Sequence, residues 1–110
     1  MAGSTLTPSR HKWTLTSAEL SKQLSTGGGV HLCSAIVTGG GGSAVLRIID
    51  SRDGALAAGP GPQNWIVAAN AGESTSFCPT RPILMEQGLY IELEQGGAFG
   101  SEASVFFDPA

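Results

Sequence analysis

The sequence predicts an all-β domain: a small β-sandwich or jelly-roll-like fold over residues 11–110, preceded by an extended N-terminal arm over residues 1–10. Three observations lead there. Apolar and polar residues alternate in HKWTLTS (11–17) and LYIELE (89–94), the period of a strand with one buried face. Short apolar or β-branched runs, VHLCSAIVT (30–38), AVLRIID (44–50) and WIVAAN (65–70), are bounded by turn-forming residues. Finally, 16 glycines and 6 prolines in 110 residues require frequent turns, and roughly six or seven short strands at close spacing fit a two-layer β fold better than a three-layer α/β one.

Each element follows from its local pattern. MAGSTLTPSR (1–10) is small and polar with Pro8, and reads as an arm. In the first strand His11, Trp13 and Leu15 alternate with Lys12, Thr14 and Thr16. The spacing of Leu20 and Leu24 in AELSKQL predicts a short helical turn or an irregular loop, stopped by STGGG (25–29). Strict alternation in 30–38 places Val30, Leu32, Ser34 and Ile36 on one face and His31, Cys33, Ala35 and Val37 on the other. GGGGS (39–43) reads as a hairpin connection to 44–50, because glycine adopts positive φ at little steric cost. SRDG (51–54) is a turn, and ALAAGPGPQ (55–63) passes into a Gly/Pro loop. Pro79 and Pro82 push TSFCPTRPILM toward a sheet edge or a bend, since proline donates nothing to a ladder. In 89–94, Leu89, Ile91 and Leu93 share a face opposite Tyr90, Glu92 and Glu94. A turn at Gly96 and Gly97 then makes 88–107 a terminal hairpin, with Ala103 and Val105 facing one way and Ser104 and Phe106 the other. The apolar strands 30–38 and 44–50 belong in the middle of the sheets.

Charge narrows the classes of function. The net formal charge is −3. Residues 1–24 hold Arg10, Lys12 and Lys22 against Glu19, and the remainder holds three arginines against eight acids, so a weakly basic head precedes an acidic body. Six dispersed basic residues do not form the concentrated positive surface that phosphate contacts need, which argues against nucleic acid as a partner. A membrane partner is not expected either: no apolar run approaches the ~20 residues that cross a bilayer, and the N-terminus has no signal core, which predicts synthesis in the cytoplasm. Cys33 and Cys78 read as two buried, reduced thiols.

Candidate chemistry is thin, and each set has a plain structural explanation. Glu92 and Glu94 share a strand face ~6.6 Å apart, a spacing compatible with a carboxylate pair but also found on any solvent-facing strand. Asp50 and Asp53 in DSRDG offer hard oxygen ligands, yet Arg52 interrupts them and a capped turn explains them. His11, His31 and Cys33 would make an unusual zinc set, and strand histidines with a core thiol explain the same residues. No nucleophile elbow or phosphate-binding loop is present, so no catalytic residue, metal or cofactor is expected. Trp13, Trp65 and Tyr90 support a carbohydrate-binding module as the alternative function, if at least two of the rings share one groove. Phe99, at a turn, reads as a protein contact.

Taken together, GGVHLCSAIVTGGGGSAVLRIIDSRDG, the later WIVAA and GLYIELEQGGAFGSEASVFF resemble a family of small bacteriophage virion proteins, the head-decoration and head-fibre-associated β domains. The resemblance covers residues 27–108 and rests on turn spacing. It implies a non-enzymatic capsid decoration (cement) protein that forms a homo-oligomer, a homotrimer, and binds the major capsid protein or another virion protein at the outer capsid surface. The alternative becomes a glycan-binding module of a virion fibre. Under the decoration reading, Arg10, Lys12 and Phe99 are candidate shell or subunit contacts, and Gly88, Leu89, Tyr90 and Ile91 have a fold role.

Overall fold

A computed structural model describes residues 11–54, 64–95 and 100–108. The arm expected over 1–10, the Gly/Pro loop at 55–63 and the turn at Gly96 and Gly97 lie outside the described residues.

Among the described residues there are nine strands: β1 (His11–Leu15), β2 (Ser21–Ser25), β3 (Val30–Thr38), β4 (Ala44–Ile49), β5 (Asn64–Ala69), β6 (Ser74–Phe77), β7 (Ile83–Met85), β8 (Leu89–Gln95) and β9 (Glu102–Asp108). They form two antiparallel sheets packed face to face. The first runs β1-β9-β3-β6, with β7 pairing to β3 beside β6; the second runs β2-β8-β4-β5. As expected from their apolar sequences, β3 and β4 are interior strands.

The core comes from the inner face of each sheet. Leu89, Ile91 and Leu93 of β8 lie opposite Leu46 and Ile48 of β4 within the second sheet, and Leu15, Leu32, Val37, Met85 and Val105 supply the first. Burial of such aliphatic surface, at about 25 cal/mol per Å², is the main force joining the layers.

Four expectations change. Residues 21–25 form strand β2, paired to β8, rather than a helical turn. Two leucines four residues apart cannot nucleate a helix on their own, and the open edge of β8 offers four of the five residues a ladder partner, Leu24 standing at a register shift. The four-glycine segment is not a hairpin: β3 and β4 belong to different sheets, so the segment crosses between layers. Gly39 is held close to the Asn70 carbonyl there, with no space for a Cβ. Likewise β8 and β9 are not a terminal hairpin. β8 lies between β2 and β4, whereas β9 lies between β1 and β3.

The fourth change is on β3. The β3–β9 register shifts between Leu32 and Ser34, leaving Cys33 as an extra residue. This bulge resets the alternation, so Val30 and Leu32 share the inner side with Ala35 and Val37, while Ile36 turns outward at 36% exposure. Strict alternation had split those residues between faces.

Candidate functional site

The two sheets are joined differently along their two sides. On one side the β5–β6 turn closes the gap: the Gly72 amide donates to the Gly39 and Gly40 carbonyls at 3.0 and 3.1 Å, and Gly39 donates to the Glu73 carbonyl at 2.9 Å. On the other side β1 and β2 are edge strands, each paired to one neighbour, and the short link through Thr16 and Glu19 connects them at one end. A cleft of about 480 Å³ opens between them, lined by His11, Lys12, Trp13, Lys22, Gln23, Leu24 and Phe107.

Edge position and alternation explain the composition of this cleft. Trp13 is opposite Val105, on the inner side of β1, and packs against the core. Its indole N–H donates to Glu19 Oε1 at 2.6 Å, and the Lys22 ammonium sits 4.7 Å from the ring centroid. His11 stacks on Phe107 with centroids 5.6 Å apart. Lys12 lies on the outer side, 5.9 Å from the Phe106 ring centroid. Gln23, opposite Tyr90, fixes β2 by donating to the Ser51 carbonyl at 2.8 Å and the Leu89 carbonyl at 3.2 Å. The site therefore combines a partly buried aromatic base with cationic rims. Sequence reasoning identified Lys12 and Trp13 individually but missed Lys22 and Phe107, because residues 21–25 were not expected to be a strand.

The other sequence candidates do not converge. Tyr90 is on the outer side of β8, against Gly54, where an added Cβ would come within 3.2 Å of the ring. Trp65 is opposite Ile48 on β5, at the other edge of the second sheet from β2. Trp13, Trp65 and Tyr90 thus occupy three different surfaces. His11 lies on the inner side with Phe107 and Leu32, while His31 is opposite Leu84 on the outer side of β3. Among the described residues no group of three His, Cys, Asp or Glu side chains is placed to hold a metal ion. Cys33 is buried, but Cys78 is exposed, contrary to the expectation of two buried thiols; no disulfide joins them. A thiol between Phe77 and Pro79 follows the end of β6, where the ladder has stopped burying side chains.

Both acidic pairs have structural partners. Glu92 and Glu94 flank Arg47 of the neighbouring β4, at 3.4 and 3.0 Å. The Asp50 carboxylate accepts the backbone amides of Glu86, Gln87 and Gly88 at 3.0, 2.7 and 3.2 Å, and Asp53 accepts the Ser51 hydroxyl at 3.0 Å. These oxygens organise turns. Arg10 and Phe99 lie outside the described residues.

One further surface is distinctive. Alternation places Thr14, Ser104, Ser34, Ile36, Thr38 and Ser74 on the outer face of the first sheet. Hydroxyl pairs bridge neighbouring strands, Thr14 with Ser104 at 2.9 Å and Thr38 with Ser74 at 2.8 Å. Leu84, 49% exposed, extends this face beside His31. Comparison of the chain with protein-family models, with curated proteins and with solved structures finds no match.

Proposed function

We propose that this chain is a non-enzymatic structural protein of a bacteriophage particle, a capsid decoration protein that self-associates and binds the outer surface of the head. The observation that carries the proposal is the strand order. Along the chain β1, β2, β3 and β4 alternate between sheets, and β8 and β9 return to insert between strands already placed, giving β1-β9-β3-β6 against β2-β8-β4-β5. That is the order of a jelly roll, an architecture used by viral capsid and lectin domains. The step from architecture to particle is one of analogy.

The surface is compatible with this role. A broad, weakly charged outer face bearing hydroxyls and exposed aliphatics suits repeated contact with copies of itself or a shell lattice, where many modest contacts act together. The glycan-binding alternative rests on grouped aromatics, and the three rings are dispersed.

The test is to mix purified chain with intact and undecorated heads, pellet the particles, and measure bound copies alongside the solution mass. The proposal expects an oligomer in solution and saturable, stoichiometric binding to heads. Deleting residues 1–10 should reduce occupancy while leaving the thermal transition in place. A monomer that never pellets with heads contradicts the proposal.

A further inference from the structure

We propose that the cleft between β1 and β2 is a docking site for an extended acidic segment of a partner protein, which adds as a strand along the edge of β1 that no described strand pairs, with its carboxylates on the outer side beside Lys12 and its apolar side chains on the inner side beside Trp13. The inference is drawn from the cleft alone and does not depend on the particle reading.

Three features specify that occupant. First, β1 pairs with β9 on one side and with no described strand on the other, so its outward amides and carbonyls form a template for an added strand. Second, among the described residues the lining includes Lys12, Lys22 and His11 but no carboxylate. Neither lysine has a salt-bridge partner among the described residues, where the ion pairs are those of Arg47 with Glu92 and Glu94. A complementary partner therefore brings negative charge. Third, the base presents Leu24, Trp13 and Phe107, apolar surface for the alternate side chains of a strand whose other side chains are acidic. The chain's own leading segment does not have this chemistry: residues 1–10 include Arg10 and no acid.

A single-stranded nucleic acid is the competing anionic ligand, and the geometry disfavours it. Base stacking needs an open aromatic face, whereas the Trp13 ring packs on the core and carries the Lys22 ammonium 4.7 Å from its centroid. Two lysines on a body of net negative charge also give little of the counterion-release drive that such ligands use.

The test is a fluorescence-anisotropy titration of the full chain with a labelled ten-residue peptide alternating Glu and Val. A Lys/Val peptide, an oligothymidylate and a Glu/Val peptide N-methylated at alternate residues serve as comparisons, and amide shifts map the bound site. The expected result is Glu/Val binding at least about tenfold tighter than Lys/Val, weakening with salt and shifting β1 and β2 resonances. N-methylation should abolish that binding, and Lys12→Gln should weaken it about fivefold. Lys22→Gln, on the inner side, should change it less than Lys12→Gln does. Equal binding of the Lys/Val peptide, tighter binding of the oligothymidylate, no Glu/Val binding, unchanged affinity after N-methylation, or shifts confined to other strands would each overturn the proposal.

Discussion

At Asp50 one carboxylate holds three backbone amides, those of Glu86, Gln87 and Gly88, and so ties the end of β4 to the start of β8. A charged acceptor for peptide N–H groups is worth more than a neutral one, and an amide stripped of its partner in a buried site bears the desolvation penalty. Gly88 has the same confinement in steric form, because an added Cβ would lie 2.5 Å from the Ser25 carbonyl oxygen and 2.7 Å from that of Ser51. Asp50→Ala should lower unfolding free energy by about 2–3 kcal/mol in urea melts, with Asp50→Asn intermediate. A change below about 0.5 kcal/mol in both variants would refute the clamp. DSRDG was legible as a turn, but its partners were not: three amides 36–38 residues away carry no side-chain signature. The exposure of Cys78 was missed because a thiol's apolar character says nothing about where a strand ends.

Among the elements, β8 followed its sequence closely. Leu89, Ile91 and Leu93 are buried and Tyr90 and Glu92 face outward, since a central strand with one wet face leaves alternation undisturbed. β3 did not, because a bulge has no compositional mark and one extra residue inverts every position after it. The consequence is measurable. Val37→Thr should destabilise by about 1–2 kcal/mol, because Val37 is fully buried and a hydroxyl there has no place in the ladder. Ile36→Thr, one position away on the outer face, should stay within about 0.5 kcal/mol. The reverse ranking in paired urea titrations would place the bulge elsewhere. β2 was illegible for a different reason: five polar-rich residues at an edge are chosen by the neighbour they complete, and Leu20 and Leu24 had suggested a helical turn. That omission concealed the cleft, whose second wall is β2.

On the scale of the whole molecule, the all-β class and two-layer packing followed from strand patterning and turn density, whereas the assignment of strands to sheets did not. Adjacent strands joined by glycines read as hairpins, because sequential neighbours usually pair. Here the connections cross between layers, and that crossing places β1 over β2 and forms the cleft. Layer assignment is decided by how the assembled inner faces fit, a property of all strands together. Cross-strand nuclear Overhauser contacts in a uniformly labelled sample test it most directly. The account predicts contacts from Val105 to both Trp13 and Ala35, and from Leu93 to Leu46. Contacts pairing β8 with β9 as a hairpin, with those absent, would contradict it.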